Sequence, residues 1–320
     1  MEAWAQGLHI PPAMLVDTSV RTYFHMMNIL VLDESAVEQR LRYQDLIPAI
    51  AQALAALSSG QVVQPARVVL PVAPHGGFFA AMPAYAGALG AKLVTFYPRN
   101  VDIHTHQAVI VLFKAETGEP LAMMDGRLIT EMRTAAASAV ATQVLARAEA
   151  PVLAILGSGV QARSHLAALR QVRSFNEVRV WSPRNAAAFA QRHGVKAVAT
   201  AADAVHGADV VVVATSATRP FLQGKWLSPG THVNAVGATR PDARELHDDL
   251  VTTARVFVDS REAALLESGD VMAAGSEVTE IGAVVSGADP GRRTPSEITL
   301  FKSVGVAVED IAAAALVLKR

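Results

Sequence analysis

The chain has 320 residues, 51% hydrophobic and 18% charged, with 28 Lys plus Arg against 29 Asp plus Glu. That composition excludes intrinsic disorder, and a net charge of −1 without a basic block lacks the field that nucleic-acid binding needs. Mean hydropathy is +0.29, yet no apolar run reaches the ~18–20 residues of a bilayer span. With no cysteine, disulfides, thiolate metal sites and cysteine nucleophiles are out, which fits a cytoplasmic protein. At ~150 residues per domain, the length suggests about two domains.

Residues 1–28 carry Pro11-Pro12 and show neither periodicity nor a signal-type apolar segment, so they read as a mobile leader rather than a targeting peptide. Order is expected from Ile29, with a strand at 29–32. Ser35 and Glu38 offer a capping box, opening a helical stretch to about Leu57 that Ser58-Ser59-Gly60 ends. From Arg67 to Phe113 short runs of Val, Leu, Phe and Tyr alternate with Pro and Gly. The pattern predicts strands at 67–72, 77–82, 91–97 and 108–113, then another at 121–124 after the turn Gly118-Glu119-Pro120. Residues 133–150 are alanine-dense and read as a helix.

After Pro151 the pattern becomes strand–helix–strand. Strands are expected at 152–156, 178–181, 197–200, 209–214 and 231–236, with helices between them and a last helix at about 306–319. Continuous apolar runs such as Asp209–Ala214 fit strands buried on both faces, and the alternation predicts an α/β fold with a doubly wound parallel sheet.

Gly157-Ser158-Gly159-Val160-Gln161-Ala162 matches G-x-G-x-x-A directly after an apolar strand and at a helix start, the context in which it cradles a dinucleotide pyrophosphate. Gly157 permits the turn, Gly159 lets backbone approach the ligand and Ala162 allows close helix–strand packing. The next strand ends Trp181-Ser182-Pro183-Arg184-Asn185, without the carboxylate that bonds the ribose of NAD. Arg184 and Ser182 suit a 2′-phosphate, so NADP(H) is favoured with NAD(H) possible; a solvated Arg184 is the alternative.

The first half then supplies the substrate site. Arg67, Lys92 and Arg133 each stand in or beside a predicted element, and a cation in apolar surroundings needs a partner. A substrate carboxylate would serve, as would an internal ion pair. His104 and His106 share one face of a possible strand, half a metal site at most, with no third ligand near. Asp242, Glu245, His247, Asp248 and Asp249 read as a solvated helix start. G-x-S-x-G, H-E-x-x-H and Walker A patterns are absent, which leaves hydrolase and NTPase readings without support.

The chain resembles the ornithine cyclodeaminase / mu-crystallin family from about Ile29 onward. The segments that carry the likeness include Gln64-Pro65-Ala66-Arg67, Met82-Pro83-Ala84-Tyr85, Lys92-Leu93-Val94-Thr95-Phe96-Tyr97, His106-Gln107-Ala108, Met124-Asp125-Gly126 and Arg133-Thr134-Ala135-Ala136. Further on come the glycine motif, Asn234-Ala235-Val236-Gly237-Ala238, Glu267-Ser268-Gly269-Asp270 and Phe301-Lys302-Ser303-Val304-Gly305. The resemblance implies a mixed α/β substrate-binding and dimerisation domain at 29–133 and 303–320, a Rossmann domain at 134–302, and a homodimer. It implies that Arg67 and Arg133 hold a substrate carboxylate and that Lys92 is the active-site lysine. Gly157, Gly159, Val160, Gln161, Ala162, Ser182, Arg184, Asn185, Thr215, Ser216, Val236, Gly237 and Ser303 correspond to cofactor-lining positions.

The family includes cyclodeaminases, alanine dehydrogenases, ketimine reductases and a lens crystallin. Cyclodeaminases and the related alanine dehydrogenases carry an Asp where Thr239 aligns here. A hydroxyl that does not ionise near neutrality cannot be the base that cyclodeamination requires, but it can hydrogen-bond an imine or a water. The expectation is therefore NAD(P)H-dependent reduction of a small cyclic imino acid, Δ1-pyrroline-2-carboxylate or Δ1-piperideine-2-carboxylate, with Lys92 as proton donor or electrostatic stabiliser. Ornithine cyclodeaminase and a non-enzymatic NADPH-linked binding protein stand as alternatives.

Overall fold

The computed structural model describes residues 29–320, so the leader expected at 1–28 lies outside the described residues. Two sheets organise the chain. The first contains β1 (Leu30–Leu32), β2 (Val68–Val72), β3 (Gly77–Tyr85), β4 (Leu89–Phe96), β5 (His106–Phe113) and β6 (Pro120–Asp125), in the order β1-β6-β5-β4-β3-β2. Its pairings are antiparallel except the parallel β1–β6 edge.

Side chains alternate across a strand, so the register sorts this sheet into two faces. Inward, Met82, Lys92, Ile110 and Met124 form one row across β3, β4, β5 and β6, and all four are buried. Outward, Val68, Ala81, Leu93 and Val109 form another row, with Val68, Leu93 and Val109 exposed.

Three helices accompany this sheet: α1 (Glu34–Arg40), α2 (Tyr43–Ser58) and α3 (Arg127–Leu145). Two expectations are corrected here. Asp33, not Ser35, caps α1, its carboxylate accepting the Ala36 N–H at 2.8 Å, and the expected long helix breaks at Leu41-Arg42. The alanine-dense helix starts at Arg127, because the Asp125 carboxylate accepts the Leu128 N–H and draws the chain into a helix directly from β6. Arg133 therefore lies in the second turn of α3, which runs unbroken across positions 133–134.

The second sheet is parallel throughout: β7 (Val152–Leu156), β8 (Glu177–Trp181), β9 (Lys196–Ala197), β10 (Val210–Val213), β11 (His232–Ala235), β12 (Arg255–Val258), β13 (Val278–Glu280) and β14 (Thr299–Lys302). Its order is β13-β12-β14-β11-β10-β7-β8-β9. All four valines of β10 are buried, each contributing roughly 1.5–3 kcal/mol. The connecting helices are α4 (Val160–Leu169), α5 (Ala186–His193), α6 (Ala201–Val205), α7 (Asp248–Thr253), α8 (Arg261–Glu267), α9 (Gly269–Ala274) and α10 (Ile281–Val285). The sequence pattern does not announce β12, β13, β14 or α8 to α10.

From β14 the chain returns to the first sheet as α11 (Ala307–Leu318), which packs against β3, β4, β5, α2 and α3. This return positions the site. Among the described residues no helix is long and apolar enough to cross a membrane.

Candidate active site

The crevice between β7 and β10 is the topological switch point of the parallel sheet, since the chain leaves β7 toward β8 on one side and continues as β10 on the other. Gly157 closes β7 at φ +122, and a Cβ there would collide with the Ala214 carbonyl oxygen at the end of β10. Gly159 caps α4, and a Cβ on it would meet nothing within 4 Å. Open space therefore faces the free N–H groups of the first turn, Val160 to Ala162, where helix geometry favours an anion. Ala162 is buried against the sheet. The Gln161 side-chain oxygen is buried without a hydrogen-bond partner among the described residues. These features fit a nicotinamide dinucleotide.

At the end of β8, the Ser182 and Ser158 hydroxyls lie 2.9 Å apart, and Ser182 also accepts the Asn185 N–H at 3.4 Å. Arg184 is exposed and has no hydrogen bond among the described residues. Thr215 follows β10 and Ser216 is exposed beyond it; Val236 and Gly237 follow β11. Ser303, buried just past β14, donates to Asp259 at 2.9 Å. Thr239 is half-buried in the loop after Ala238, whose φ is +51, and makes no hydrogen bond among the described residues.

The three cations singled out in the sequence converge, and acids to which the sequence reading gave no role meet them. Lys92 is 2% exposed in its apolar row, and its ammonium lies 2.6 Å from Asp310 on α11. Arg133 donates from Nε to Asp310 at 3.0 Å and from Nη1 to Glu309 at 2.6 Å. Arg67, just ahead of β2, pairs with Glu267 on α8 and donates to the carbonyls of Val304 and Gly305. A Cβ at Gly305 would strike the Arg133 guanidinium, so this loop brings Arg67 and Arg133 to one place. Both readings of the cations hold at once: they are ion-paired, and they are grouped.

Burial and the neighbouring Arg133 and Arg67 push Lys92 down to about 8, against the pull of Asp310. Burial raises Glu309 to about 7, opposed by Arg133 and reinforced by Asp259. Asp310 is held low by Arg133 and Lys92 despite its burial.

His104 lies in the loop ahead of β5 and His106 opens that strand. His106 is pushed down to about 4 by burial and by Lys92 and Arg133, so it is neutral at neutral pH and adjoins the cation group. Among the described residues no three His, Cys, Asp or Glu side chains are placed to hold a metal.

Glu245 is a further correction. His247 does cap α7, with Asp248 and Asp249 in its first turn, but Glu245 is fully buried.

The model of the ornithine cyclodeaminase/mu-crystallin family matches residues 27–320. The chain belongs to that family. It is 48% identical over 300 residues to the ketimine reductase mu-crystallin of Mus musculus, covering 89% of this chain and 95% of that protein. Among solved structures it resembles the Δ1-pyrroline-2-carboxylate reductase of Thermococcus litoralis in complex with NADH and L-proline. That likeness has a TM-score of 0.86 and 37% identity, and covers 91% of this chain and 97% of that one. An archaeal alanine dehydrogenase dimer with bound NAD also has a TM-score of 0.86, at 33% identity over 91% of this chain and 95% of its own. These neighbours share the α/β architecture with its parallel, dinucleotide-binding sheet.

Proposed function

We propose that the chain is an NAD(P)H-dependent reductase of cyclic ketimine carboxylates, converting Δ1-pyrroline-2-carboxylate to proline and Δ1-piperideine-2-carboxylate to pipecolate. One observation carries the reading. Arg67, Lys92 and Arg133 are gathered beside the first sheet, against the acids of α8 and α11, in a chain of this family.

In this reading Arg67 and Arg133 take the substrate carboxylate. Arg67 Nη1 and Arg133 Nη2 make no hydrogen bond among the described residues, so each retains a donor edge for a charge-assisted contact. Holding the carboxylate fixes the imine carbon in place, an orientation effect. The bound nicotinamide supplies the hydride to that carbon. Lys92 holds the proton destined for the imine nitrogen; with its pKa near 8 it is charged at neutral pH yet releases the proton readily. Asp310 keeps that ammonium in place, and neutral His106 adds no further positive charge beside it.

Residues 134–302 carry the cofactor in this reading, at Gly157, Gly159, Val160, Gln161, Ala162, Asn185, Thr215, Ser216, Val236, Gly237 and Ser303. Ser182 and Arg184 select NADP(H), since β8 ends without a carboxylate. Residues 29–133 with 303–320 carry the substrate, and the exposed Val68, Leu93 and Val109 row supports a homodimer through the outer face of the first sheet. A cytoplasmic setting belongs to the same reading.

The test is incubation of the protein with NADPH or NADH and each ketimine. Loss of reduced-cofactor absorbance with either imine is expected. Proline and ammonia formed from ornithine without added reductant would instead establish a cyclodeaminase. Tight cofactor binding with no turnover on any imine would leave a binding protein.

A further inference from the structure

A second buried charged group lies at the ends of β10, β11 and β14, outside the Lys92 site. Glu245, Asp270 and Lys302 are each completely buried. Glu245 Oε1 accepts both the backbone N–H of Thr215 at 2.9 Å and its hydroxyl at 2.5 Å. Glu245 Oε2 is buried with no hydrogen-bond partner among the described residues. Both carboxyl oxygens stand against Gly237, where a Cβ would overlap them. Lys302 donates to the Gly237 carbonyl and lies 3.2 Å from Asp270. Asp270 in turn accepts the backbone N–H groups of Glu245 and Leu246 at 3.0 and 2.9 Å.

Apolar residues would tie three strand ends together at less cost than buried ions, whose desolvation penalty is several kcal/mol each. Lys302 and Arg244 both stand within ion-pair distance of Asp270, whereas among the described residues no cation makes a salt bridge to Glu245, whose carboxylate is held by hydrogen bonds from Thr215. That carboxylate lies directly behind Thr215 and Gly237, two positions assigned above to the cofactor rim. The adjoining Ala238 keeps a left-handed backbone, a strained conformation for alanine that a purely packing loop does not need.

We propose that Glu245 is a positioning residue for the nicotinamide half of the dinucleotide, and that its buried negative charge makes the crevice favour the oxidised over the reduced cofactor. The inference rests on the cofactor reading above. Its physics is simple: oxidised nicotinamide bears a formal positive charge that the reduced ring lacks, and a desolvated carboxylate nearby interacts with that difference. The same charge would favour hydride departure, during which positive charge develops on the ring.

The charge can also be switched. Burial raises Glu245 to about 7, with Asp270 acting the same way and Lys302 and the two Thr215 hydrogen bonds opposing. Arg244, 3.9 Å from Asp270 and also paired with Asp248, faces the group as well. Preference for oxidised cofactor should therefore weaken as pH falls from 8 to 6.

The experiment compares wild type with Glu245→Gln, which keeps the shape and an oxygen acceptor for Thr215. Dissociation constants for NAD+ and NADH are measured by calorimetry at pH 8 and pH 6, and folding is checked by thermal melting. Using NAD(H) avoids the titrating 2′-phosphate. At pH 8 the ratio Kd(NADH)/Kd(NAD+) is expected to fall roughly fivefold to tenfold in the variant, the scale of a single screened charge interaction. Wild type should move toward the variant's ratio at pH 6, and the variant should stay flat. Equal weakening of both nucleotides, with the ratio unchanged, means Glu245 is only structural and overturns the proposal. A variant that fails to fold is replaced by Glu245→Met with the same ratio measured at pH 8, where an unchanged ratio overturns the proposal equally. If neither nucleotide binds wild type, the cofactor reading itself fails and this inference falls with it.

Discussion

The two buried charged groups differ in how the fold delivers them. In the first, three cations come from a strand, a strand entry and a helix of the N-terminal half, and three acids arrive on α8 and α11. In the second, Glu245, Asp270 and Lys302 sit at or near the C-terminal edge of one parallel sheet. The first is rich in cations with donor edges left over, which suits an anionic substrate. The second sets a buried carboxylate with no salt-bridge partner among the described residues, Glu245, behind the proposed cofactor rim, which suits a ligand that becomes positive. Antiparallel strands can send a long basic side chain such as Lys92 into an apolar row, because the opposite face of the strand remains free to be exposed. A parallel sheet covered on both faces has less such freedom, and its fully buried charge, Lys302, sits at a strand end.

The largest test breaks the first group. Lys92→Met keeps an apolar neighbour for Met82, Ile110 and Met124 but removes the proton. The kcat for ketimine reduction should fall by about 10²–10⁴-fold, the usual worth of a positioned acid, while the dissociation constant for NADH stays within about twofold, since by the two-site division the crevice is untouched. A comparable loss of cofactor binding would show that the two groups are not separable.

A smaller effect sharpens the same division through pH. Lys92 must be protonated to donate, so kcat should be level below its pKa of about 8 and fall above it, by about tenfold per pH unit. The sign is opposite to that for a base, which would gain activity as pH rises. A profile that rises through pH 8 would remove Lys92 from the donor role.

The smallest expected effect lies outside both groups. Arg184→Ala should erase a preference for NADPH over NADH of about tenfold, the lower end of a charge-assisted phosphate contact. Use of NADH should hardly change, and the pH profile should keep its shape. Equal losses with both cofactors would mean that Arg184 does not contact the 2′-phosphate.

The contrast also explains what the sequence disclosed. Val152–Leu156 and the glycine motif after it were legible because a buried parallel strand and its turn are written in consecutive residues. Lys92 and Arg133 stood out for the same local reason, as charges in apolar runs. Their partners did not: Arg133 and Asp310 are 177 positions apart, and Glu309-Asp310 looks like an ordinary acidic first turn. Glu245 was misread because its neighbours Asp242, Asp248 and Asp249 are exposed, and a run of acids conceals the one that turns inward.

The long reach from β4 and α3 to α11 sets the order in which the molecule can assemble. Closing a contact across so many residues is entropically costly and comes late. Until it closes, Lys92 and Arg133 have no counter-ion, and burying them is strongly unfavourable. The N-terminal sheet therefore cannot seal its inner face when its own strands are complete; it must wait for the parallel sheet to form and hand back the final helix. Correct docking of that helix is in effect checked by charge. Any apolar segment that slid into its place would leave both cations stranded, so the residues proposed to recognise the substrate also discriminate against a misassembled chain.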